Sequence, residues 1–178
     1  MEKVEKLKKI FNKEKIEGYI VPKNDEFFGE YTPAYNDRLN FITDFSGSYG
    51  LALILKRKKY LFVDGRYSLQ ADKESGKSFK IITIPSKMPK DILKGKKISI
   101  GFDPSLFTKK TLSVFFGKNK CKFKPIAKNL IDVIWDREIK KNKNKFFILP
   151  ESSISEKYQS KINKIVNYLN KKKSDFLF

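Results

Sequence analysis

Apolar residues along the chain recur with two periods, and the changes between them mark out the elements. Val4, Leu7 and Phe11 stand at i, i+3 and i+7 among lysines, which predicts an amphipathic helix over 1–15. Gly18-Tyr19-Ile20-Val21-Pro22 is a short apolar run opened by glycine and stopped by proline, a buried strand. Residues 24–45 show no period and read as irregular chain, with Phe27, Phe28, Tyr31, Tyr35, Phe41 and Phe45 scattered among polar residues. Two apolar runs follow, 48–55 and 60–63, joined by Lys56-Arg57-Lys58-Lys59; they predict an antiparallel hairpin with a cationic tip. Asp64-Gly65 closes the second run, and 66–74 has helical spacing.

Beyond Gly76 strands and helices interleave. The pattern predicts strands at 79–84, 97–102 and 121–126, and helices at 89–93, 105–117 and 129–137. Proline opens the first of these helices, Ser105 is the expected N-cap of the second, and Leu130, Val133 and Ile134 are the expected buried positions of the third. Such interleaving implies an α/β fold, a mixed sheet with helices packed on its faces. Residues 138–144 are charged and have the composition of a linker. Residues 146–149 suit a short strand, 155–173 a long amphipathic helix, and 175–178 the start of another strand. Helix followed by apolar strand echoes the opening of the chain, so a second unit of similar design is expected to begin near 150, with the chain stopping inside its first strand.

Composition narrows the chemistry. The chain has 178 residues, 39 Lys+Arg against 20 Asp+Glu, and a formal net charge of +19. Clustered cations attract polyanions, but only Arg38, Arg57, Arg66 and Arg137 are arginine, and the lysines rise together with Asn, Ile and Phe. That composition favours solvated lysines over a nucleic-acid reader, which would lean on the bidentate guanidinium. No apolar run approaches the roughly 20 residues that span a bilayer, and the charged N-terminus has no apolar signal segment; neither nucleic acid nor membrane is an expected partner. A single cysteine, Cys121, fits a reducing cytoplasm. The chain has no histidine, which removes Ser-His-Asp and Cys-His nucleophiles and His-ligated zinc from these residues taken alone.

Several clusters carry polar chemistry with a local explanation. In Asp64-Gly65-Arg66-Tyr67, Asp64 can cap the following turn and Arg66 can pair with a nearby carboxylate. Around Asp37-Arg38 and Asp44 an arginine lies between two carboxylates among aromatics, which suits loop architecture. Asp25, Glu26 and Glu30 read as solvated loop residues rather than metal ligands, and Gly47 and Gly50 as turn and strand-packing residues without phosphate-loop spacing.

Taken together, five blocks resemble the N-terminal domain of Xaa-Pro aminopeptidases, within the creatinase/prolidase superfamily. They are Tyr31 with Asp37-Arg38, Phe41-Ile42 with Phe45-Ser46-Gly47-Ser48, Asp64-Gly65-Arg66-Tyr67, Gly101 with Asp103-Pro104, and Leu130-Ile131-Asp132 with Trp135. The resemblance implies a ribonuclease H-like mixed sheet over 1–137, a linker over 138–153 and a truncated second α/β domain over 154–178. It implies a parent enzyme of the longer, three-domain kind, cytoplasmic and dimeric, that removes the N-terminal residue from peptides with proline second. The reaction would use two divalent ions (manganese, cobalt or zinc) in a C-terminal domain that these residues do not include. No catalytic or metal-binding residue carries over; this segment alone is expected to be inert. It would pack beside its own catalytic domain, shape substrate access and support the oligomer. Arg66, held by Asp64 and flanked by Tyr67, is the expected contact to a peptide substrate or partner subunit, and Tyr31, Asp37, Arg38 and Phe41 are expected to be structural. Prolidase or creatine amidinohydrolase as the parent, and a lysine-rich polyanion-binding module, are the rival readings.

Overall fold

A computed structural model describes residues 2–117, 119–137, 145 and 147–177. The chain divides into two compact units, Met1–Ile139 and Lys140–Phe178.

The first unit is built on six strands: β1 (Gly18–Pro22), β2 (Gly50–Leu55), β3 (Lys59–Asp64), β4 (Lys80–Ile84), β5 (Ser99–Phe102) and β6 (Lys122–Pro125). Their order in the sheet is β4-β3-β2-β1-β5-β6. β2 runs antiparallel to β1 and β3, with Leu53 opposite both Ile20 and Tyr60, while β3–β4, β1–β5 and β5–β6 are parallel. Five strands therefore point one way and β2 alone runs against them. The mixed sheet matches the expected α/β class.

Every residue of β1 and β2 is buried, which explains why these runs lack polar alternation. Both faces of the sheet are covered, so both sides of the pleat must be apolar. Tyr19, Val21, Ala52, Ile54, Leu61 and Val63 point to one core. It is filled by Val4, Leu7 and Phe11 of α1 (Glu2–Lys13), Leu39 and Ile42 of α2 (Arg38–Thr43), Ala71 of α3 (Ser68–Ser75), and Leu130 and Ile131 of α6 (Leu130–Ile134). Ile20, Leu51, Leu53, Tyr60 and Phe62 point the other way, against Leu93 of α4 (Pro89–Leu93) and Phe116 of α5 (Lys109–Phe116).

Four local expectations change. The stretch 24–45 contains a helix, α2, whose first turn is capped when Asp37 accepts from the Asn40 amide at 3.0 Å. The helix expected from Ser105 starts at Lys109, because the Ser105 hydroxyl is spent on Asp103 at 2.6 Å and Thr108 caps instead, accepting from the Thr111 amide at 3.1 Å. In α6, Ile131 is fully buried while Val133 is 47% exposed, since the helix is five residues long and presents only Leu130, Ile131 and the flank of Ile134 to the core. Finally, residues 147–149 and 175–177 form no strand; an isolated segment without a neighbour has nothing to pair its backbone with.

The second unit holds a 3₁₀ turn at Glu151–Ser153 and α7 (Tyr158–Lys172). No residue of α7 is buried, and Tyr158, Ile162, Ile165 and Val166 stand exposed. Residues 138–144 and 146 of the expected linker over 138–153, the last of them also the first residue of the strand expected over 146–149, lie outside the described residues. Among the described residues no helix is long and apolar enough to cross a membrane.

Candidate functional site

Parallel strands deliver their C-terminal ends to one side of the sheet. The chain runs from β1 toward β4, then returns across the sheet to place β5 on the other side of β1. Ligands of open α/β sheets bind in the crevice beyond the strand ends at such a reversal. Here that region holds a cleft of about 320 Å³ whose walls include Pro22, Phe28, Thr32, Leu51, Leu106 and Phe115. Asn24 bridges the reversal, its amide donating to the Leu106 carbonyl at 3.1 Å. On the cleft wall, Lys23 is engaged by Asp37 at 2.6 Å, both side chains being nearly buried.

The turn after β3 stands beside this cleft. Asp64 accepts from the Arg66 amide at 2.9 Å and so closes the 3₁₀ turn Gly65–Tyr67. The Arg66 guanidinium folds back on the same carboxylate, Nη2 donating to Oδ2 at 2.7 Å, and lies 5.4 Å from the Tyr67 ring centroid. Its side chain is 76% exposed, so the outward N–H groups are open to a ligand. The Tyr67 hydroxyl and Ser48 hydroxyl share a hydrogen bond of 2.6 Å, and Ser48 and Tyr49 also line the cleft. Sequence reasoning brought Asp64, Arg66 and Tyr67 together but missed Ser48 and Tyr49. Their signal was the Ser-Gly-Ser-Tyr-Gly stretch, which leads straight into β2 and whose first serine is tied to α3. Glu74 accepts from both the amide and the hydroxyl of Ser46 at 2.8 Å.

The charges here are tuned by their neighbours. The Arg66 hydrogen bond holds the Asp64 carboxyl below the usual aspartate range, while partial burial, aided by the Asp64 charge, raises the Tyr49 hydroxyl. A carboxylate with a lowered value gives stability above the unfolded aspartate range, and loses it as pH falls through the lowered value. An NMR titration should therefore find Asp64 still ionised where a free aspartate is half protonated; a midpoint at the unfolded value would mean the pair does not persist in solution.

The second expected group resolves differently. Arg38 does not serve the two nearby carboxylates; Asp37 takes Lys23, and Asp44 takes Lys3 at 2.8 Å. Arg38 reaches across the fold instead. Its Nε and Nη2 donate to Asp132 at 2.8 and 2.9 Å, and Nη1 donates to Glu26 at 3.2 Å. Arg137 joins the same Asp132 at 2.9 Å and lies 4.5 Å from the Trp135 ring centroid, and Trp135 stacks on Phe41 at 4.6 Å. Asp25, expected in solvent, is buried and accepts from the Phe27 amide at 3.1 Å. Tyr31 is 82% exposed near the cleft mouth. A second buried set ties the β5 end to α6: Asn129 donates to Asp103 at 2.8 Å, and the Leu130 amide donates to Tyr19, whose hydroxyl burial raises.

The donor set does not fit the two divalent ions implied by the resemblance. The chain has no histidine, Glu26, Asp37 and Asp64 are paired with Arg38, Lys23 and Arg66, and among the described residues no three His, Cys, Asp or Glu side chains group so as to hold a metal. What the site can do is bind: an apolar cleft beside an exposed guanidinium suits a ligand with an apolar ring or side chain and a carboxylate.

Comparison with known proteins places this geometry. A probable Xaa-Pro aminopeptidase P of Coprinopsis cinerea is 30% identical over 178 aligned residues, which cover 94% of this chain and 28% of that protein. One from Paracoccidioides lutzii is 31% identical, covering 94% and 29%. The chain thus spans under a third of the length of these relatives. The X-prolyl aminopeptidase of Caenorhabditis elegans, described as a cytosolic enzyme with a di-nuclear active site, superposes with a TM-score of 0.74 at 25% identity, over 98% of this chain and 31% of that one. The N-terminal domain of the peptidase PepQ from Mycobacterium tuberculosis shares the fold at a TM-score of 0.58 and 17% identity, over 75% of this chain and 98% of that one. Residues 3–134 match the Creatinase/Prolidase N-terminal domain family, and the chain belongs to that family.

Proposed function

We propose that this chain is the N-terminal part of a longer, metal-dependent Xaa-Pro aminopeptidase, a cytoplasmic enzyme that removes the N-terminal residue from peptides with proline second. Residues 1–137 form its creatinase-like domain, 138–153 a linker and 154–178 the opening of a second α/β domain. The hydrolytic residues and both divalent ions (manganese, cobalt or zinc) belong to chain beyond these domains, so these 178 residues bind and shape but do not cleave. The observation that carries the reading is the disparity of coverage: a relative named as this peptidase aligns with 94% of this chain but with 28% of itself.

Within the parent, a homodimer, the first domain narrows access to the catalytic centre. The Asp64–Arg66–Tyr67 turn and the neighbouring cleft face either the peptide or a partner subunit. Arg66 pairs with the substrate's terminal carboxylate while the cleft wall packs on an apolar ring. Asp37, Arg38 and Phe41 keep the structural part, fixing the loop next to that surface, whereas Tyr31, expected to share it, faces solvent at 82% exposure.

The test is the Arg66→Ala variant of the full-length enzyme. A charge-assisted hydrogen bond contributes about 1.5–3 kcal/mol, so kcat/KM for a tripeptide with a free carboxylate should fall about tenfold or more, mainly through KM. The same peptide with an amidated C-terminus should lose little. Unchanged kcat/KM on the free-acid peptide removes the assigned role.

A further inference from the structure

Composition spreads the lysines along the chain, but the fold gathers more than a quarter of its cations on the side of the sheet away from the site. Each parallel strand is entered through a basic segment: Lys13 and Lys15 before β1, Lys77 and Lys80 at β4, Lys96 and Lys97 before β5, Lys120 and Lys122 at β6. Because β2 runs against the others, its turn into β3 lies on the same side of the sheet and adds Lys56, Arg57 and Lys58. These segments carry eleven cations, all of them exposed, and two acids, Glu14 and Glu17. None of the eleven lies within 4.0 Å of a described carboxylate. Glu17 is occupied, accepting from the Ser99 amide at 3.2 Å, and Glu14 faces Lys124 at 3.7 Å. Around the opposite strand ends, Lys3, Lys23, Arg38, Arg66 and Arg137 are each held by a carboxylate. Lys87, Lys109, Lys110 and Lys128, which follow the opposite strand ends, are exposed and without an ion pair too, so what sets the row apart is the density of its unpaired cations.

The arrangement is a line. Strands stand about 4.8 Å apart, so six of them set the basic turns along a row of roughly 24 Å. At its β5–β6 end the row opens into a shallow cleft of about 310 Å³ lined by Lys97, Ser99, Lys120 and Lys122.

We propose that this row binds the phosphate backbone of a nucleic acid, without reading its sequence. Lysine supplies point charges rather than the bidentate fork that reads base edges, and Arg57 is the row's one arginine. Of the aromatic residues beside the row in sequence, Tyr60 and Phe79 are buried and Phe123 is packed against the core, so none is an open stacking platform. Sheet twist favours a polymer over a bilayer: at about 20° per strand the row turns through roughly 100° from β4 to β6, so a flat surface meets only part of it. The row is long enough to cover roughly seven phosphates of one strand at 3.4 Å each.

Fluorescence anisotropy of the 178-residue chain with a labelled 24-base-pair duplex of mixed sequence, from 50 to 200 mM salt, tests this. The expected slope of log K against log salt is about −6, since each neutralised phosphate contributes about −0.9. Neutralising four row residues (Lys56→Gln, Arg57→Gln, Lys97→Gln, Lys122→Gln) should weaken binding at 50 mM by about tenfold or more and bring the slope to about −3. Removing the same charge from α7 (Lys161→Gln, Lys164→Gln, Lys171→Gln, Lys172→Gln) should change affinity by less than about twofold. Equal losses in the two variants would reduce the effect to net charge and overturn the proposal. So would no binding at 50 mM, or phosphatidylserine vesicles capturing the chain through the row while the duplex does not.

Discussion

Replacing Asp132 with alanine should destabilise the first unit by about 3 kcal/mol, the low end of what breaking a buried ion pair costs. Asp132 is the shared acceptor of two guanidiniums, and their exposure decides the size of the effect. The Arg38 side chain is 6% exposed and that of Arg137 12%, whereas Asp132 itself is 28% exposed. Removing the carboxylate leaves two nearly buried cations close together, one of which keeps only Glu26. It also loosens a stack, because Arg137 lies on Trp135 and Trp135 on Phe41 of α2. With an m-value near 2 kcal/mol/M, the urea midpoint should fall by about 1.5 M. Arg66→Ala breaks an ion pair too, but its side chain is 76% exposed and screened by water, so the urea midpoint should barely move. The two variants together separate the arginine that holds the fold from the one available to a ligand. A midpoint shift for Asp132→Ala no larger than that for Arg66→Ala would show water screening the cluster.

This contrast also marks where sequence reading succeeds. Elements whose cause is local were legible: the β2–β3 hairpin from two apolar runs about a basic tip, α4 from its leading proline, the Asp64 turn from Asp-Gly. In sequence Arg38 reads as a loop residue, because two carboxylates lie within six positions of it; its actual partner is 94 residues away, and only the packing of α2 against α6 brings them together. Ser105 was a sound capping candidate by type, yet a carboxylate two residues earlier captured its hydroxyl, and no periodicity reports that competition. Asp25 looked solvated because loops generally are, whereas this loop folds over its own carboxylate. At the site, the Asp64–Arg66–Tyr67 group was legible as a contiguous motif. The cleft was not, since its walls come from five separated stretches that meet only once β5 returns beside β1. The basic row was invisible for the same reason: each lysine pair is unremarkable until the strands line up.

The glycine at 47 gives the second large effect. Gly47 has no left-handed backbone angle to protect; what it needs is room. A Cβ there would stand 2.2 Å from the tip of the Phe45 ring, and one on Gly50 would stand 3.2 Å from the same ring. Phe45 is fully buried and meets Tyr67 edge-on at 5.9 Å, so the ring that excludes a side chain at 47 also backs the residue that hydrogen-bonds Ser48. Phe45→Ala should cost about 3–4 kcal/mol, as large-to-small changes in closed cores do. It should also free the Tyr67 ring to move relative to the cleft. Gly47→Ala alone should cost about 1–3 kcal/mol, because a ring wedged between backbone and core cannot swing away as a flexible chain end would. Combined, the two should cost at least about 1 kcal/mol less than their sum, the new methyl occupying space the ring has left. Chemical denaturation of the four proteins in this cycle measures that coupling directly. Simple additivity would mean that the loop relaxes around the added methyl without touching the ring, and that the glycine is there for the turn rather than for the aromatic beneath it.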